Sequence, residues 1–168
     1  MTIPFSALAG IAGAWSGTGH AEYPTISPAD YHEELVLSSN GKDAVIHFEK
    51  RTWVTSGDAR HGEPLFWESG FIIDTGNGLF DVVVVQKGGR MEILKGGAHR
   101  DDKGGIVLDL KSTAIRNDPR MIQSERRIVW SGEILSYELL MSTTSNPRPA
   151  RPLAARLTRN PEQARTPL

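Results

Sequence analysis

The chain has 168 residues, 39% of them hydrophobic, with 17 glycines, no cysteine, and 19 Lys+Arg against 20 Asp+Glu for a net charge of −1. This length suits one domain with its own core. The charge balance argues against nucleic acid or a membrane surface as a partner held by bulk electrostatics. The lack of cysteine excludes disulfides, thiol nucleophiles and Cys-based metal sites, and is compatible with a cytoplasmic location.

The N-terminal stretch is fairly apolar but has no Lys/Arg-bearing leader pattern, so it reads as part of the fold rather than a signal peptide. No apolar run approaches the ~20 residues of a spanning helix. Pro4–Ala12 is predicted as a short helix, with Phe5, Leu8 and Ile11 near helical spacing. The segment Gly13–Ile26 follows, with Gly13, Gly17 and Gly19 arranged around Trp15. Glycine inside a strand is costly and marks a bend or a close backbone approach. Two readings stand: a strand curling over the end of a closed sheet with Trp15 as the plug, or a glycine-rich turn and an X-Pro corner.

Strands and turns then alternate. Tyr31–Ser38 is bounded by an Asn-Gly hairpin signal at Asn40-Gly41. Ala44–Val54 alternates strictly, with Ile46, Phe48, Lys50 and Thr52 on one face and Val45, His47, Glu49, Arg51 and Trp53 on the other. Further strands are predicted over Leu65–Asp74, Leu79–Gln86, Arg90–Gly96, Ile106–Ala114, Met121–Ser131, Ile134–Thr143 and Leu153–Thr158, with Ser145–Arg151 a loop. Residues 1–159 form one domain in this reading, and 160–168 a flexible tail. About ten short strands between sequence neighbours favour an all-β, antiparallel, up-and-down barrel over a sandwich, because closure removes the edges. A barrel of that size encloses room for one small ligand.

Several short motifs occur in order. Gly13-Ala14-Trp15-Ser16-Gly17-Thr18-Gly19 reads G-x-W-x-G-x-G and is followed by Tyr23-Pro24-Thr25-Ile26. Tyr31-His32-Glu33-Glu34, Thr52-Trp53, Glu68-Ser69-Gly70-Phe71-Ile72, Leu135-Ser136-Tyr137 with Met141, and Leu153-Ala154-Ala155-Arg156-Leu157-Thr158-Arg159 come after it. Together they resemble the nitrobindins, haem-binding β-barrels akin to fatty-acid-binding proteins and lipocalins. The resemblance implies a ten-stranded, calycin/lipocalin-like barrel, with Gly13, Trp15, Gly17, Gly19, Tyr23 and Pro24 as its defining motif. For typical members it implies ferric haem at one open mouth, nitric oxide binding and isomerisation of peroxynitrite to nitrate.

The resemblance places the axial histidine just before the closing L-x-A-x-L-x-R, where this chain has Pro152, and a cavity-lining histidine where it has Phe66. Proline has no ligating atom. His20, His32, His47, His61 and His99 are scattered and form no metal-binding pattern, so no metal site is assigned. Glu33 and Glu34 are strand neighbours facing opposite ways and cannot act as an acid/base pair. Arg156 and Arg159 either pair with carboxylates such as Glu33 or simply face solvent. No catalytic residue is assigned, and enzymatic turnover stays open.

The expectation is therefore a container for a small apolar ligand, with Thr25, Phe66, Gln86, Met141 and Pro152 as candidate contacts and no cofactor. The alternative is a haem b protein acting on nitric oxide or peroxynitrite through another iron ligand. A third reading is an interaction module whose interior is filled by Phe66, Phe80 and Trp130. A homodimer is compatible with all three.

Overall fold

The computed structural model describes residues 3–22 and 27–161. Tyr23, Pro24, Thr25 and Ile26, and the end of the expected tail, lie outside the described residues. The predicted N-terminal helix is a single α-turn, α1 (Phe5–Leu8), continued by a 3-10 turn over Ala9–Ile11. Ten strands follow: β1 (Gly13–Ala21), β2 (Ala29–Ser38), β3 (Val45–Val54), β4 (Pro64–Gly76), β5 (Leu79–Gln86), β6 (Met91–Arg100), β7 (Ile106–Arg116), β8 (Met121–Ser131), β9 (Ile134–Thr143) and β10 (Ala150–Arg159). Each pairs antiparallel with its sequence neighbours, and β1 pairs with β10 to close the barrel. The predicted ranges of β5, β8 and β9 coincide with the observed ones.

β10 begins earlier than expected, at Ala150, and contains Pro152. The pairing of β10 with β9 shifts register between Ala150 and Leu153. A proline fits there because the bulge asks no ladder hydrogen bond of it. β6 runs on past the predicted end at Gly96 to Arg100, because Gly96 lies where a Cβ would stand 1.7 Å from the Asp109 carbonyl oxygen of β7. Here glycine sustains the strand by permitting close approach of the backbones.

Antiparallel order puts α1 and the start of β1 at one end, and the β1–β2, β3–β4, β5–β6, β7–β8 and β9–β10 connections at the other. The first end is sealed. Ile3, Leu8 and Ile11 are buried there, and Trp15 is 1% exposed with its indole N–H donating to the Ile11 carbonyl at 2.9 Å. The Arg159 guanidinium lies 4.3 Å from the Trp15 ring centre and donates to the Ala12 and Gly10 carbonyls. Trp15 thus plugs the barrel, as the first of the two readings expects.

Gly19 has a different task. A Cβ there would stand 2.3 Å from the Tyr31 ring and hydroxyl. Its missing side chain is the space into which Tyr31 folds.

Candidate functional site

Strand alternation fixes what points inward. On β9 the inward positions, from the sealed end to the open end, are Leu135, Tyr137, Leu139 and Met141. On β3 they are Ile46, Phe48, Lys50, Thr52 and Val54, so the Lys50 face of the alternating strand is the buried one. The interior is therefore apolar at the sealed end and crossed at mid-height by a belt of ionisable groups.

The belt is a chain of alternating charge. Lys50 Nζ is 2.9 Å from Glu68, and the Arg126 guanidinium bridges Glu68 at 2.8 Å and Glu92 at 3.3 Å. Arg90 meets Glu92 at 3.0 Å and Asp118 at 3.5 Å, and Asp118 is held from the surface side by Arg120 at 3.0 Å. Gln86 and Ser124 donate to Glu68 and Glu92. Glu68 sits well below the usual carboxylate range, since Arg126 and Lys50 outweigh the burial that pushes it up. The Arg120 hydrogen bond likewise lowers Asp118. Isolated charges in such a place would be prohibitive, and pairing makes them tolerable.

Glu33 is the exception. It is fully buried, its Oε2 accepts a short hydrogen bond from the Tyr137 hydroxyl, and its Oε1 has no hydrogen-bond partner among the described residues. Burial pushes its carboxyl up to about 7, against the pull of Lys50 and the Tyr137 hydrogen bond. Burial and the Glu33 charge together raise Tyr137 well above its ordinary range. Tyr31 lies 3.3 Å from the Tyr137 oxygen, and Lys50 is 5.0 Å from the Tyr137 ring centre. β1 and β10 separate β2 from β9, and they face inward here with Gly17, Gly19 and Ala155. These small residues let Tyr137 reach across two strands to Glu33.

Arg156 and Arg159 do not meet Glu33. Arg156 is on the outward face of β10, opposite in parity to the inward Glu33, and Arg159 pairs with Glu133 at 3.4 Å beside the Trp15 plug. The five histidines are also away from the interior. His20 is bound between Asp30 and Glu22, both of which raise its pKa, and His99 approaches Asp109. His32 stacks on Trp53, His47 bonds Ser69 outside the wall, and His61 bonds the Ser56 carbonyl in a turn.

Three spaces follow from this layout. A cavity of about 70 Å³ lies between the sealed end and the belt, bounded below by Ile11 and above by Lys50, Glu68, Arg126 and Tyr137. A smaller one of about 20 Å³ lies on the other side of the same four residues, walled by Phe66, Gln86, Leu139 and Leu153. At the mouth, Met141, Pro152, Thr143 and Glu22 border a cavity of about 320 Å³. The structure thus brings Phe66 together with Gln86, and Met141 together with Pro152, in two separate places. Thr25 lies outside the described residues.

Phe66 packs edge-on to Tyr31 at 6.2 Å. Phe80 belongs to the core, and Trp130 packs against it, lying over Gly10 of the capping segment. All three aromatics thus lie in or against the core, with the cavities described above left beside them. The charged belt itself was not anticipated, although Lys50 opposite the outward Arg51 on an alternating strand is the signal that could have pointed to it.

Residues 5–159 match the family described as THAP4-like, heme-binding beta-barrel domain. A peroxynitrite isomerase of Arabidopsis thaliana is 35% identical over 145 residues, covering 86% of this chain and 82% of that protein. Peroxynitrite isomerase 2 of Mycobacterium marinum is 33% identical over 144 residues, covering 84% and 86%. The crystal structure of Rv2717c from M. tuberculosis superposes with a TM-score of 0.81 at 27% identity, over 95% of this chain and 99% of that one. A closed ten-stranded barrel with a sealed base, matched along nearly its whole length, makes this chain a member of the THAP4-like, heme-binding β-barrel (nitrobindin) family.

Proposed function

We propose that this barrel binds a small, largely apolar ligand at its mouth and does not hold haem through a histidine. The observation that carries the reading is Pro152, which borders the mouth cavity beside Met141 at the position where the family resemblance puts the axial histidine. Haem iron needs a His, Cys, Met or Tyr ligand. The chain has no cysteine, and each described histidine is engaged in a turn or on the outer wall. Tyr31 and Tyr137 are tied to each other and to Glu33. The described residues therefore do not fit a histidine-anchored haem.

One observation favours a second reading, in which haem is retained and acts on nitric oxide or peroxynitrite. Met141 is a buried thioether facing the same mouth cavity as Pro152. Haemin titration separates the two. The ligand-container reading expects weak, non-saturating absorbance changes for the parent protein and a sharp, stoichiometric Soret band for Pro152→His. A tight Soret band in the parent that is lost in Met141→Leu would replace it with the second reading.

A further inference from the structure

The space beneath the belt is chemically unlike the mouth. Its walls are apolar side chains from across the barrel, among them Leu35, Phe48, Val82, Leu110, Ile128 and Leu135, and its floor is Ile11. Among the described residues its polar boundary is the roof of Lys50, Glu68, Arg126 and Tyr137.

That roof offers nothing to a charged guest. Lys50, Arg126 and Arg90 stand against Glu68, Glu92 and Asp118 at contact distances, cation for anion. A carboxylate or phosphate entering below would have to displace Glu68 from two cations at once, and a cation would have to displace one of them. Tyr137 already donates its hydroxyl proton to Glu33. A water there would have to find its two to four polar partners on the roof, because the described residues of the walls and floor are apolar. The volume, about 70 Å³, is roughly half that of the ~150 Å³ apolar cavity known to take benzene or xenon. Apolar walls on nearly every side reward a guest through dispersion contacts and through removal of its surface from water.

We propose that the sealed end of the barrel is a second binding chamber, distinct from the mouth, for a compact uncharged apolar molecule of a few heavy atoms, of the kind represented by xenon or a short hydrocarbon. It deepens the container reading by naming a guest class for the lower half of the barrel, and it does not depend on whether haem binds above. The belt then acts as a partition that keeps ionic molecules at the mouth side, with Tyr137 and Lys50 bordering both compartments.

The test is methyl-detected NMR of the full chain under xenon pressure, with sodium butyrate as the charged probe. Xenon is expected to give saturating shifts of the Leu35, Leu110, Ile128 and Leu135 methyls while the Met141 methyl stays in place. Butyrate is expected to leave the chamber methyls unmoved. Val82→Phe, which fills the chamber, should lower xenon affinity at least tenfold. Since overpacking there can prevent folding, Leu110→Ala provides the opposite change and should tighten xenon binding several-fold and admit benzene. Absence of saturating shifts in the folded parent, or chamber shifts with butyrate matching those with xenon, would overturn the proposal. Haemin binding at the mouth would overturn the container reading while leaving the xenon result unchanged, so the two failures are distinguishable.

Discussion

Replacing Glu33 by glutamine should abolish a pH dependence of stability that the fold builds in. The Glu33 carboxyl is fully buried, with one oxygen unbonded among the described residues, and burial moves it from the ordinary 4.5 to about 7. Between those two values the folded protein holds a proton that the unfolded chain has released. Stability is therefore fully present below about pH 4.5 and is lost as pH rises toward 7, because proton release favours the unfolded state. The gap, at ~1.36 kcal/mol per pH unit, amounts to about 3 kcal/mol. In a domain of this size that corresponds to roughly 6–12 °C in melting temperature. Glutamine keeps the shape and can still accept from Tyr137, but it has no proton to lose. Urea unfolding of the parent and Glu33→Gln at pH 4.5, 6 and 8 measures the effect. The variant should gain on the parent by about 3 kcal/mol from the lowest pH to the highest. Parallel stability profiles for the two proteins would refute the reasoning, because they would mean that Glu33 ionises in the folded state as readily as in the unfolded one.

Other changes should separate the belt from the surface. Glu68→Gln leaves Lys50 and Arg126 buried beside a neutral amide and should destabilise by about 3–5 kcal/mol in urea unfolding. Gly19→Ala forces a methyl group against the Tyr31 ring and the Ala154 carbonyl, and should cost about 1–3 kcal/mol while disturbing the Tyr31 ring signals in NMR. Trp15→Ala removes the plug and its hydrogen bond to Ile11, with an expected loss of about 3–5 kcal/mol and a lower melting temperature. His20→Ala, at a half-exposed site, should change stability by less than about 0.5 kcal/mol at pH 8, where a calorimetric scan should overlay the parent.

The barrel was legible in the chain because its causes are local. Alternation in Ala44–Val54 and Ile134–Thr143, turn residues at Asn40-Gly41 and Gly132, and glycines around Trp15 each act within a few residues of themselves. Nearest-neighbour strand pairing adds little that the sequence order does not already imply, so β5, β8 and β9 fall on their predicted bounds.

Apart from Lys50 on the apolar face of β3, the belt was set by the tertiary structure. Period-two alternation says that Lys50, Glu68, Glu92 and Arg126 each share a face with apolar neighbours, but it does not say which face is inside. Only closure of the barrel turns those four positions, contributed by β3, β4, β6 and β8, toward one axis at one height. The same holds for Glu33 and Tyr137, separated by 104 positions and joined because β1 and β10 present glycine and alanine between them. Sequence alone favoured a chain that closes on itself, while the plugging of its base by Trp15 was one of two readings until the structure chose it. The tertiary structure decided that the interior would be divided, because long-range charge pairing in a buried space is fixed by where side chains meet and not by their order along the chain.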